Sequence, residues 1–174
     1  MKSFPKTLPK ILAAVLIVLL GASCSDDCSE NQNALPLAGF YSSTGEEVSV
    51  DSLRVVGLGA PGDSVLYSGS GAITQLYLPF RVTSDTTTYL FGSLPRTKFD
   101  TVTFIYSRTP VFVSEECGVS YRFDIREIRC HGLMIDSVTC PLGYIDNVNA
   151  QNLRIYFSPA LFPEEPDQPV NPEK

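Results

Sequence analysis

The chain contains no tryptophan, a single histidine (His131) and few basic residues, 13 against 19 acids. Each shortage excludes something. One histidine rules out histidine-rich metal sites and leaves little for histidine-led catalysis. Lys2, Lys6 and Lys10 crowd the first ten positions, and without them ten bases face nineteen acids, a balance of −9. A surface that acidic repels phosphate, so nucleic acid is not expected as a partner. Beyond residue 34 no stretch keeps an apolar i, i+3, i+4, i+7 pattern for three turns, so amphipathic helices are not expected either. No CxxC pair, twelve-residue calcium loop or glycine-rich loop followed by lysine is present, and no cofactor is implied. There are no internal repeats.

The N-terminus has the parts of an export signal. Lys2, Lys6 and Lys10 are followed by an apolar run from Ile11 to Ser23. That run is too short to span a bilayer core, which takes about 20 residues. Small residues Gly21, Ala22 and Ser23 then lead into Cys24. Leu20-Gly21-Ala22-Ser23-Cys24 resembles the lipobox of bacterial lipoproteins. That resemblance implies cleavage before Cys24, a diacylglyceryl thioether on its sulfur, acylation of the new amino group and a membrane as partner. The rival is an ordinary signal peptide with Cys24 free or oxidised. Cysteine arithmetic supports the lipid, because five cysteines are an awkward odd number for an exported protein and lipidating one leaves four. Asp26 and Asp27 resemble the export signal that places Bacteroidota lipoproteins on the outer leaflet. The cell surface is the reading they favour, the periplasmic face the alternative.

The body reads as strands. Leu76, Leu78, Phe80 and Val82 alternate with Gln75, Tyr77, Pro79 and Arg81. Similar alternation runs through Val102, Phe104 and Tyr106, through Val119, Tyr121, Phe123 and Ile125, and through Leu153, Ile155 and Phe157. Period-2 patterning buries one face of a strand and wets the other. Glycine, proline, serine and aspartate cluster between the runs. Strands are expected near 37–43, 50–58, 64–68, 73–82, 87–93, 99–107, 119–129, 134–140 and 152–158, one or two of them edge pieces. This predicts an all-β, immunoglobulin-like antiparallel β-sandwich of about seven to nine strands, with a closed barrel as the alternative. The expected organisation is a signal peptide over 1–23, a lipidated cysteine and short acidic linker over 24–34, the sandwich over 35–159, and a proline- and acid-rich tail over 160–174.

Export makes disulfides the default for Cys28, Cys117, Cys130 and Cys140. Four cysteines allow three pairings. A hairpin over residues 130–140 would bring its ends together, which favours Cys130–Cys140 with Cys28–Cys117. A bridge at Cys28, four residues from Cys24, would hold the domain within about 15 Å of the lipid.

Candidate chemistry is sparse. Cys130 beside His131, with Asp136 nearby, could be nucleophile and base, yet adjacent strand residues face opposite ways. Glu115 and Glu116 could be a carboxylate pair, but neighbouring acids in a loop usually face water. Asp85-Thr86 and Asp146-Asn147 offer oxygens without a calcium loop. The eight tyrosines (Tyr41, Tyr67, Tyr77, Tyr89, Tyr106, Tyr121, Tyr144 and Tyr156) could form a sugar-stacking or protein-binding surface, or serve as core and cross-strand partners.

Residues 78–91 (LPFRVTSDTTTYLF), 99–123 (FDTVTFIYSRTPVFVSEECGVSYRF), 135–138 (IDSV) and 153–157 (LRIYF) resemble a family of small Bacteroidota outer-membrane lipoproteins known only as a domain of unknown function. Cys28 and the Cys117-Gly118 pair match its pattern as well. The resemblance implies an outer-membrane lipoprotein with a β-sandwich and implies no activity. Cys130 and Cys140 are less typical of the family, so their bridge rests on spacing alone. The expected role is a non-catalytic binding or structural module, with a glycan or protein as partner. The alternatives are a carbohydrate-binding accessory of a glycan-uptake system, an adhesin or surface-assembly subunit, and an enzyme.

Overall fold

The structure is a computed structural model, and it describes residues 35–59, 62–93, 99–115, 117–146 and 150–159. The expected signal peptide, Cys24, Cys28, the expected linker to residue 34 and the expected tail from residue 160 lie outside the described residues.

Ten strands follow in chain order: β1 (Leu37–Ser42), β2 (Leu53–Leu58), β3 (Ser64–Ser68), β4 (Gln75–Tyr77), β5 (Thr86–Ser93), β6 (Phe99–Ser114), β7 (Gly118–His131), β8 (Ile135–Thr139), β9 (Tyr144–Ile145) and β10 (Gln151–Phe157). They form a four-stranded sheet in the order β4-β1-β10-β8 and a six-stranded sheet in the order β3-β2-β5-β6-β7-β9. The fold is all-β, consistent with a β-sandwich, and neither sheet closes into a barrel. Alternation decides which side chains enter. Thr87, Tyr89 and Phe91 of β5, Val102, Phe104 and Tyr106 of β6, and Leu153, Ile155 and Phe157 of β10 are buried, at spacing two.

Several details depart from the sequence reading. One pair is parallel: β1 runs alongside β10, Phe40 opposite Ile155. The expected strand at 73–82 is mostly not a strand. Ile73 makes only an isolated bridge to Val50, β4 is three residues long, and the chain then leaves the small sheet. Pro79, which has no N–H to donate, sits at that departure. The segment is pinned from the other sheet instead. Tyr89 donates its hydroxyl to the Pro79 carbonyl and Tyr106 donates to the Arg81 carbonyl at 2.9 Å. The Arg81 N–H donates to Thr87 Oγ1 at 3.0 Å. Phe80 then drops into the core, stacked on Tyr106 with ring centroids 4.8 Å apart and touching Phe104 and Phe123 at 4.9 and 5.4 Å. The TTTY stretch therefore supplies a buried clamp that joins the two sheets.

The strand expected at 99–107 runs on to Ser114, and the short β9 was not foreseen. β5 pairs with β6 only as far as Ile105, and β9 meets β7 only at Phe123 and Asp124. Beyond those points β6 and β7 pair only with each other among the described residues, as a two-stranded ribbon projecting from the six-stranded sheet.

Candidate functional site

Two polar constellations and one apolar surface stand out. The first is Asp100, near the start of β6 and only 6% exposed. The chain leaves β7 in one sheet and enters β8 in the other through an arch over residues 132–134. That arch frees three backbone N–H groups, and the Asp100 carboxylate accepts all three: Leu133 at 3.1 Å, Met134 at 2.6 Å and Ile135 at 2.7 Å. A carboxylate accepting main-chain donors makes charge-assisted bonds, stronger than neutral ones. Gly132 allows the approach. Its φ is 152°, and a Cβ there would lie 2.0 Å from Asp100 Cγ.

The arch also bears on Cys130 and Cys140. The expected hairpin is not one, because β7 pairs with β6 and β9 while β8 pairs with β10. Cys130 and Cys140 are both free thiols, so the bridge between them is not formed here. Each packs partly buried against the core. Burial pushes both thiols above their ordinary range, opposed by backbone hydrogen bonds at Val138 for Cys130 and at Gly143 and Leu142 for Cys140. Cys140 Sγ donates to the Tyr144 carbonyl at 3.6 Å, as a neutral thiol can. Thiols held neutral are poor nucleophiles.

The second constellation is the Tyr106 hydroxyl with Thr87 Oγ1, 2.6 Å apart and buried. Both of its neighbours are structural, so it holds the Phe80 segment rather than a substrate.

The third is the tip of the β6–β7 ribbon. Phe112 and Val119 are cross-strand partners and are 66% and 54% exposed. They sit on the same face as the core residues Phe104 and Tyr106, continued outward past the small sheet. Val111, on the other face, is also exposed. The turn at the tip is closed by the Cys117 N–H donating to Ser114 Oγ at 3.0 Å. Gly118 then takes a φ of 71°, a left-handed conformation that an L side chain resists. Gly118 is thus a turn requirement, whereas Cys117 enters the turn only through its backbone N–H, and its sulfur is not a free thiol.

The remaining sequence candidates are dispersed. His131 is exposed at the end of β7, opposite Thr101, and Cys130 faces the other way. Asp136 and Glu115 are exposed, and Glu116 lies outside the described residues. Asp85 makes a 3.6 Å ion pair with Arg108. Tyr41, Tyr89 and Tyr106 are buried, whereas Tyr77 is exposed. Tyr41 and Tyr156 contact each other at 5.7 Å, and the Arg122 guanidinium lies 4.0 Å from the Tyr144 ring centroid. Among the described residues no cluster of histidine, cysteine and acids could hold a metal ion. No described helix is long and apolar enough to cross a membrane.

Asp100 and the ribbon escaped the sequence reading. Asp100 pairs with main-chain groups more than thirty residues away, which no local pattern announces. The strand expected near 99–107 stops short of the apolar Val111-Phe112-Val113 run, which β6 includes beyond Pro110.

No curated protein and no solved structure matches the chain. A family of unknown function (DUF6452) matches residues 52–157, from the turn before β2 to the end of β10. This span holds the Asp100 cap, the tyrosine clamp and the ribbon, and it covers well over half of the 174 residues: the chain belongs to that family.

Proposed function

We propose that this protein is a lipid-anchored outer-membrane lipoprotein whose β-sandwich serves as a non-catalytic binding or structural module. The observation that carries the reading is Leu20-Gly21-Ala22-Ser23-Cys24 at the end of a short basic-then-apolar leader. Cys24 becomes the lipidated N-terminus. Each buried methylene contributes about 0.8 kcal/mol, so two or more acyl chains hold the protein stably where one holds it marginally. Asp26 and Asp27 direct the anchor to the outer leaflet.

Cys28 is the partner of Cys117 in this reading. Cys130 and Cys140 are free, Cys117 is not, and Cys24 is consumed by lipid. The dispersal of His131, Asp136 and Glu115 supports a non-catalytic role. So does the structural use of the buried acid and the buried tyrosines.

Cys24→Ala tests the anchor. The variant is expected to leave the membrane pellet for the soluble envelope fraction, or to remain as uncleaved precursor. A variant still processed at residue 24 and still sedimenting as a peripheral membrane protein would contradict the reading. Protease shaving of intact cells assigns the leaflet: digestion is expected, and full protection until lysis would place the domain in the periplasm.

A further inference from the structure

We infer that the tip of the β6–β7 ribbon is a membrane-contacting surface, with Phe112 and Val119 seated in the interfacial zone of the bilayer that holds the anchor. The inference rests on the proposed lipidation of Cys24 and adds to it an orientation and a second point of contact.

The pairing registers place the N-terminal entry and the ribbon at one end of the sandwich. The Leu78 N–H donates to the Pro36 carbonyl at 2.8 Å, so the first described residues lie beside that segment. Two residues on, Phe80 packs on Tyr106 and Phe123. Those two residues are where β6 and β7 begin to run out as the ribbon. The chain therefore joins the fold next to the ribbon's root. Leu35 lies eleven positions after Cys24, a reach of at most about 40 Å when extended. A Cys28–Cys117 bond shortens the reach from lipid to ribbon tip to about 15 Å.

What Phe112 and Val119 present there suits a lipid surface, and the exposed acid Glu115 lies in the turn beyond them. Phe112 and Val119 stand side by side, 66% and 54% exposed, with Pro110 behind Phe112 on the same face. Exposed apolar side chains gathered at a projecting end mark a contact surface. Phenylalanine with aliphatic neighbours is the composition that enters the headgroup–acyl boundary. The opposite end differs in position rather than chemistry. Leu133 in the Asp100-capped arch is 80% exposed, but β6 from Asp100 to Phe112 extends over about 40 Å. An anchor beside the tip leaves Leu133 far from the lipid.

The absence of tryptophan makes a direct test available. Full-length lipidated protein carrying Phe112→Trp, and separately Leu133→Trp, is reconstituted into phosphatidylcholine vesicles with and without brominated acyl chains. Far-ultraviolet circular dichroism checks the fold of each. Trp at 112 is expected to lose at least half its emission in brominated vesicles and to shift to the blue, while Trp at 133 stays unquenched. Proteoliposomes that pellet with an unquenched, water-exposed Trp at 112 would overturn the inference and leave the anchor standing. So would Trp at 112 shielded from water but unquenched by bromine, the sign of a second copy covering the tip. Protein that fails to pellet with vesicles would overturn the anchor and the inference together.

Discussion

Asp100→Ala is expected to cost about 3–5 kcal/mol of stability. The substitution removes no large apolar surface. It strips three backbone N–H groups of their shared acceptor, that of Ile135 buried and those of Leu133 and Met134 part-buried, so water can replace the acceptor more readily at the latter two. A buried donor left unsatisfied costs about 1–3 kcal/mol, and the three losses share one site and do not simply add. Local opening of the arch, which lets water in, keeps the total below the arithmetic sum. Asp100→Asn should recover part of the loss, because one oxygen still accepts while the amide NH2 faces a donor. Urea denaturation with hydrogen exchange at Met134 and Ile135 checks this. Exchange at those amides should accelerate ahead of the rest of the protein. A loss under about 1 kcal/mol for Asp100→Ala would show that the arch holds itself without the carboxylate.

Alkaline pH is expected to destabilise the fold through its buried phenols. Burial raises the Tyr89 hydroxyl far above its ordinary value, reinforced by the nearby Tyr106, and burial raises Tyr106 too, opposed by its bonds to Thr87 and Arg81. The ordinary tyrosine value in an unfolded chain is about 10. Between that value and the raised folded one, the native state holds protons that the unfolded state has released. Stability is therefore fully present below pH 10 and falls above it, by about 1.4 kcal/mol per pH unit for Tyr89 alone. Tyr89→Phe removes one proton from this balance and one hydrogen bond, to the Pro79 carbonyl. It should lower neutral-pH stability by about 1 kcal/mol and flatten the decline above pH 10. Equilibrium unfolding followed from pH 8 to 11.5 gives both numbers. An equal slope in wild type and variant would mean that Tyr89 ionises in the folded protein.

The fold was legible wherever one face is buried and the other wet. β5, β6 and β10 announce themselves because Thr87, Tyr89 and Phe91, or Leu153, Ile155 and Phe157, recur at spacing two. Which strands pair was not legible, since the parallel partnership of β1 and β10 joins residues more than a hundred positions apart. The 78–82 segment misled for a physical reason. Leu78 and Phe80 are buried at strand spacing, yet tyrosine hydroxyls from the other sheet, rather than a neighbouring strand, satisfy the Pro79 and Arg81 carbonyls. The spacing of Cys130 and Cys140 suits a hairpin equally well as an arch between sheets, and only the sheet partners of β7 and β8 separate the two.

The candidate site divides the same way. The proposed lipidation signal, Leu20 to Cys24, would be a linear motif read before folding, and a motif of that kind is visible in the sequence. The ribbon tip exists only because β5 and β9 stop short of the ends of β6 and β7. Nothing in VFVSEECGV says that its neighbours end.

The central claim is a sandwich tied to a lipid at Cys24 and to its own ribbon through Cys28. Mass spectrometry of the membrane-extracted protein, digested without reduction, tests it most directly. The account predicts an N-terminal peptide beginning at diacylglyceryl-Cys24 and cross-linked through Cys28 to the peptide that contains Cys117. A mature chain with an unmodified Cys24, or a Cys28 that alkylates without prior reduction, would contradict it.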